Sequence, residues 1–199
     1  MKPEEKIASI GRLLFERRLT DLSGGNISMR VNELIYITPR YSGARQHWDL
    51  DPATVVTGRL DNDDILDDPG FSREGKAHLS VYRAFPDANA IIHAHPFYAL
   101  PFCAVGAPIP PVLESNEKFG VIEPVPYAPA HSQELADNIT AALVGKEDKI
   151  RRHSAGLLLP KHGIFVISKD IDLCLDAVER INWNAWCILA QKLLPDSAR

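Results

Sequence analysis

Apolar residues recur along the chain in two different periods. Ile7, Ile10, Leu13 and Leu14 fall three to four apart, which predicts an amphipathic helix over residues 4–18. The glycine turn Ser23-Gly24-Gly25 breaks that pattern, and residues 26–31, 34–38 and 54–57 then read as short strands. Ser72 suits an N-cap for a helix to about residue 85, which Pro86-Asp87 closes. Beyond it come a strand over 90–95, stopped by Pro96, and a short strand over 121–125. Ser132 is placed to cap a helix over 133–144, and residues 157–160 and 164–168 read as strands around Lys161-His162-Gly163. A last helix is expected over 172–194.

Several of these strands follow one another without a helix between them, and tight strand pairs must run antiparallel. The expected fold is therefore α/β, a mostly antiparallel sheet flanked by helices, with residues 1–199 as one domain. Ser23-Gly24-Gly25 does not make a GxGxxG motif and follows a helix rather than a strand, so no nucleotide fingerprint is read there.

Composition narrows the function classes. Hydrophobic residues make up 45% of the chain and charged residues 24%, ordinary for a globular protein. The formal net charge of −4, without a Lys/Arg run, excludes the basic stripe that nucleic acid requires. No apolar run approaches the ~20 residues of a membrane span. The opening MKPEEKIASI has acids where a secretory signal has an apolar stretch, and a cytoplasmic location is expected. Cys103, Cys174 and Cys187 form no CxxC and sit among apolar neighbours, and buried reduced thiols are expected.

The most informative segment is Ile91-Ile92-His93-Ala94-His95-Pro96. Strand side chains alternate between faces, so His93 and His95 project together. Two imidazoles at that spacing can grip one divalent ion, but alone they read equally well as two hydrogen-bonded structural histidines. His162 shifts the balance. It ends an apolar strand, against Gly163, where a backbone or ligand can approach closely. Three histidines leave one position open on a tetrahedral zinc, the catalytic pattern. Imidazole serves manganese and cobalt as well. His78 falls four residues after Glu74 on the same helical face. It reads first as a packing residue and second as a group that orients Glu74 or a metal-binding histidine. His47, His131 and His153 fall in predicted loops and read as surface residues.

Taken in order, these pieces resemble the class II aldolase/adducin family. The matching segments are Gly25-Asn26-Ile27-Ser28-Met29-Arg30, Ile37-Thr38-Pro39, Ser72-Arg73-Glu74 with His78, residues 83–90 leading into His93-Ala94-His95, and Lys161-His162-Gly163. The resemblance implies a three-layer αβα sandwich around a largely antiparallel sheet. It implies one zinc ion per subunit on His93, His95 and His162, with Glu74 as the catalytic acid/base. It places Gly25, Asn26, Ser42, Gly43 and Ser72 near the substrate phosphate. It further implies a homotetramer with active sites between subunits. The activity implied is reversible cleavage of a small phosphorylated ketose, such as L-fuculose 1-phosphate, to dihydroxyacetone phosphate and an aldehyde through a metal-stabilised enediolate.

Without the histidines, Glu74 reads as a helix-dipole residue, Ser72 as a plain cap, and Gly25-Asn26 and Ser42-Gly43 as turns. The chain also departs from the family pattern. The phosphate turn, Thr38-Pro39-Arg40-Tyr41-Ser42-Gly43, is two residues longer than Thr-Pro-Thr-Gly. Arg73 replaces a serine. It can hold a phosphate or carboxylate bidentately, although a salt bridge to Asp67 or Asp68 is the favoured reading. Glu114 stands where the aldolase brings a tyrosine from the neighbouring subunit, which leaves the second proton-transfer group open. Alternatives in the same family are a sugar-phosphate dehydratase, a 3-oxo acid phosphate decarboxylase and a 4-epimerase. An adducin-like scaffold without enzymatic activity is a further one.

Overall fold

The computed structural model describes residues 1–195. In chain order it contains α1 (Pro3–Glu16), β1 (Asn26–Val31), β2 (Leu34–Ile37), α2 (Ser42–Gln46), β3 (Val56–Arg59), α3 (Gly75–Ala84), β4 (Ala90–Ala94), α4 (Leu100–Val105), β5 (Glu123–Pro124), α5 (Gln133–Ala142), α6 (Glu147–Arg152), β6 (Ala155–Leu159), β7 (Gly163–Ser168) and α7 (Ile171–Ala190). The strands form one seven-stranded sheet in the order β3-β2-β1-β4-β7-β6-β5. Every pairing is antiparallel except that of β5 with β6.

Alternation along the central strands builds three layers. On β4, Ile92 packs with α1 and α7, in a core that includes Ile7, Ile10, Leu14, Cys174, Val178 and Ile181. Ile91 packs through the opposite face with α3 and α5, among Leu79, Tyr82, Leu135 and Ile139. On β7 the same split sends Ile164 and Val166 to the first layer and Phe165 and Ile167 to the second. Ile91 and Ile92 are both fully buried, and burial of each such side chain stabilises by about 1.5–3 kcal/mol. The expected αβα sandwich with a mostly antiparallel sheet is the fold found.

Local chemistry explains where the elements differ from expectation. Residues 54–57 do not form the third strand as a unit. Asp51 caps a 3-10 turn at Pro52–Thr54, its carboxylate accepting from the Ala53 N–H, and β3 starts only at Val56. Ser72 does not cap α3. The helix starts at Gly75, the N-cap position falls on Glu74, and no side chain caps it. Ser132 does cap α5, accepting from the Leu135 N–H at 3.0 Å. Three short helices, α2, α4 and α6, occupy segments that carry no clear apolar period. Cys103 and Cys174 are buried thiols, whereas Cys187 is only half-buried. Among the described residues no helix is long and apolar enough to cross a membrane.

Candidate metal centre and active site

Register places the site. Asn26 on β1 pairs with His93 on β4, and His93 pairs in turn with Phe165 on β7. Asn26, Ser28 and His93 therefore share the sheet face that α3 covers. His95 lies just past the end of β4. His162 sits in the short β6–β7 turn, where its N–H donates to the Leu159 carbonyl at 3.1 Å and Lys161 adopts a left-handed φ of 61°. Gly163 is required here, because a Cβ would come within 2.5 Å of the Ala94 carbonyl oxygen.

The three imidazoles meet. One nitrogen from each of His93, His95 and His162 lies within 4.8 Å of the other two. In two of the rings the outer nitrogen is fixed by a partner. The Nδ1–H of His93 donates to the Ile164 carbonyl at 2.9 Å, and that of His95 to Asp21 at 3.1 Å, with Ser23 Oγ at 3.3 Å. In the neutral ring such contacts set the tautomer that leaves Nε2 as a lone pair. The Nε2 atoms of His93 and His95 are buried and make no hydrogen bond. Two orphaned imidazole nitrogens aimed at a common point, with a third beside them, are what a divalent cation requires.

Glu74 is buried and stands over that point. Its Oε2 lies 3.1 Å from His93 Nε2 and its Oε1 3.1 Å from His162 Nε2, with His131 Nδ1 at 3.5 Å. Burial alone would raise the carboxyl pKa. The charge of His93, together with contacts from His131 and His162, outweighs it and holds Glu74 well below the usual carboxylate range. His162 is pushed down to about 3, by burial first and then by the charge of His93. His95 is lowered by the same two causes, whereas in His93 the charge of Glu74 overcomes burial and raises the pKa.

A buried hydrogen-bond chain ends on Glu74. Asn26 Nδ2 donates to Glu74 Oε2 at 3.0 Å, and Asn26 Oδ1 faces His78 Nε2 at 2.5 Å. Ser28 Oγ lies 2.6 Å from His78 Nδ1 and 2.7 Å from the Tyr82 hydroxyl. An ionised carboxylate only accepts, so the direction of every bond follows. Asn26 donates to Glu74, His78 Nε2–H donates to Asn26, Ser28 donates to His78, and Tyr82 donates to Ser28. His78 also packs edge-on against Phe165 at 5.1 Å, so it is both a packing residue and the group that orients Glu74 through Asn26. One N–H of the Asn26 amide is left for a ligand.

Gly25, Asn26, Ser42, Gly43, Ser72 and Arg73 line one cleft of about 370 Å³ together with Glu74, His95 and His162. Ser42 Oγ donates to the Pro39 carbonyl at 2.7 Å, which fixes the turn and leaves its lone pairs free to accept. Arg73 does not pair with Asp67 or Asp68, contrary to expectation. Asp68 accepts instead from the Gly70 N–H at 2.7 Å, and the Arg73 guanidinium lies 5.6 Å from the Tyr41 ring centre. Glu114 is exposed in a 3-10 turn at Glu114–Phe119 and is not part of this cleft.

Two contacts of the site carry no clear signal in the sequence. His131 is exposed, as expected of its loop, yet it also lines the cleft, with Nδ1 3.5 Å from Glu74 Oε1. It precedes the Ser132 cap in a left-handed conformation, φ 68°, and no sequence pattern sets it against Glu74. Asp21 holds His95, and the only available signal is the turn its carboxylate makes with the Ser23 N–H.

Comparison with known proteins agrees with this fold. The family described as Class II Aldolase and Adducin N-terminal domain matches residues 5–189. An L-fuculose phosphate aldolase of Methanococcus maripaludis is 33% identical over 171 residues, covering 81% of this chain and 82% of its own. A 5-deoxy-D-ribulose 1-phosphate aldolase of Bacillus thuringiensis is 30% identical, covering 92% and 83%. Among solved structures, an L-fuculose 1-phosphate aldolase superposes with a TM-score of 0.80 at 25% identity, covering 98% of this chain and 92% of its own. One from Thermus thermophilus gives 0.79 at 23% identity, over 95% and 93%. The chain belongs to the class II aldolase and adducin family.

Proposed function

We propose that the chain is a zinc-dependent lyase that reversibly cleaves a small phosphorylated ketose to dihydroxyacetone phosphate and an aldehyde. The observation that carries this reading is the convergence of three imidazole nitrogens within 4.8 Å, with the Glu74 carboxylate 3.1 Å from two of them. Relatives named as aldolases of L-fuculose phosphate and 5-deoxy-D-ribulose 1-phosphate support aldol cleavage over the other reactions of the family.

His93, His95 and His162 would hold the metal. A zinc ion there supplies Lewis-acid polarisation of a substrate carbonyl. Glu74 takes and returns the proton at the reacting centre, its ionised state kept by the surrounding imidazoles and its position by Asn26. Gly25, Ser42, Gly43 and Ser72 offer backbone N–H groups and hydroxyls to the phosphate, with one N–H of Asn26. Burial of Glu74 keeps bulk water away from the proton it carries. By the same resemblance the working form is a homotetramer, and sedimentation as a monomer would remove that part of the reading.

The test is metal analysis of the purified chain with a retro-aldol assay on phosphorylated ketoses, coupled to detection of dihydroxyacetone phosphate. About one zinc per chain and turnover of at least one ketose phosphate are expected. Glu74→Gln should keep the metal and lose turnover. A metal-free, inactive protein overturns the proposal in favour of a scaffold. Retained turnover in Glu74→Gln removes Glu74 from the reaction.

A further inference from the structure

As the acid/base of a lyase, Glu74 must load and unload a proton in every turnover, and the burial that shelters this proton also blocks its exit. The carboxylate has four polar neighbours. Oε2 accepts from Asn26 Nδ2 at 3.0 Å and lies 3.1 Å from His93 Nε2. Oε1 is buried, makes no hydrogen bond, and faces His162 Nε2 at 3.1 Å and His131 Nδ1 at 3.5 Å.

Three of these neighbours offer the proton no way out. His93 and His162 are committed to the metal centre. Asn26 leads only into the chain through His78, Ser28 and Tyr82. A side-chain amide does not relay protons, and the chain ends on Tyr82, which is 1% exposed. His131 differs. Its side chain is 37% exposed, and Glu74 is its ion-pair partner among the described residues.

The surroundings of His131 suit an exit. It lines the main cleft and also a second recess of about 240 Å³, bordered by the exposed Leu66, Asp68, Arg73 and Lys76. A polar recess of that size has room for water. A substrate that fills the cleft therefore does not close both sides of the ring. The backbone holds the ring there at a cost, for φ is 68°, where glycine is at ease and a residue with a Cβ is not. Such strain persists where the surrounding structure over-determines it. Here the Ser132 N–H donates to the Pro129 carbonyl at 3.2 Å, and Ser132 caps α5.

We propose that His131 is a proton shuttle that carries the proton between Glu74 Oε1 and water in the side recess. It acts through Glu74 and touches no reacting atom. This rests on the reading of Glu74 as the acid/base of a ketose-phosphate lyase. The neutral imidazole takes the proton from the carboxylic acid, becomes an imidazolium beside the carboxylate, and hands the proton to water. The reverse path reloads Glu74. One proton moves at each transfer, and nothing is oxidised or reduced.

Exchange of the carbon-bound hydrogen of dihydroxyacetone phosphate with deuterium oxide, followed by proton NMR on the zinc-loaded chain, tests it. That exchange requires the proton to leave Glu74 but breaks no carbon–carbon bond. His131→Gly is the variant to use, since glycine suits this backbone and leaves a space that free imidazole can enter. It is expected to exchange about a hundredfold more slowly than the parent at saturating dihydroxyacetone phosphate. Zinc content should stay at the parent value, and added imidazole should restore most of the rate. Exchange at the parent rate in His131→Gly overturns the shuttle and leaves the lyase reading standing. A slow variant that imidazole does not restore shows that His131 only positions Glu74, and overturns it too. A rate lost together with zinc assigns His131 to the metal centre and likewise overturns the shuttle. No exchange by the parent itself defeats both the shuttle and the acid/base reading of Glu74 beneath it.

Discussion

Asn26 and His78 form the hydrogen-bonded chain that ends on Glu74. Asn26 supplies the side-chain amide that orients the carboxylate, so Asn26→Ala should lower kcat about 10–100-fold while zinc content stays at the parent value. Loss of zinc with loss of rate would show a structural role instead. His78 is fully buried, and its pKa is pushed down to about 3, by desolvation first and then by the charge of His93. The unfolded chain takes up that proton near pH 6.5, whereas the folded chain does not. The contribution of His78 to stability is therefore constant above pH 6.5 and falls as the pH drops below it, by up to about 1.4 kcal/mol per unit. Urea unfolding of the metal-free protein at pH 7 and pH 5 checks it, and His78→Gln should show a shallower loss. At this scale the spacing of His93 and His95, and the Gly163 neighbour of His162, are legible in the sequence because strand alternation and glycine packing are local rules. The Asp21 and His131 contacts are not, since each depends on where a turn lands against a distant strand.

Elements with a clean period are legible to within a few residues. The apolar stripe of α1 and the continuous apolar runs of β4 and β7 leave one reading each. The start of α3 is obscured because Ser72 resembles a cap, yet residues 72–75 form a separate turn in which the Gly75 N–H donates to the Ser72 carbonyl at 2.9 Å. That turn frees Glu74 from capping and aims it into the cleft. The close pairing of β4 with β7 depends on Gly163. Gly163→Ala would push against the Ala94 carbonyl and the His95 ring, neither of which can move without opening the sheet. It should destabilise the fold by roughly 1–3 kcal/mol and weaken metal binding at the same time. Chemical unfolding together with metal titration reads both, and an unchanged midpoint would show that the turn relaxes instead.

At the scale of the whole molecule, the site lies where the end of β4 and the β6–β7 turn meet, and the chain between the histidines runs through α4, β5, α5, α6 and β6. A ligand that binds only the folded chain stabilises it by mass action, about 4 kcal/mol at a thousand times its dissociation constant. Removing zinc with a chelator should therefore lower Tm by several degrees, and adding zinc back should restore it. A midpoint indifferent to chelation would speak against a bound metal. The layered fold is legible because strands follow strands without helices. The lone parallel pairing of β5 is not, because two residues carry no pattern of their own.

The β4–β7 pairing also gives the protein a built-in reporter of its own assembly. His93 and His162 are 69 positions apart in the chain and become neighbours only once the two central strands have zipped together. Cobalt offered during refolding should acquire its tetrahedral colour in step with that zippering and no sooner, so the eye could follow the formation of the sheet at its very centre.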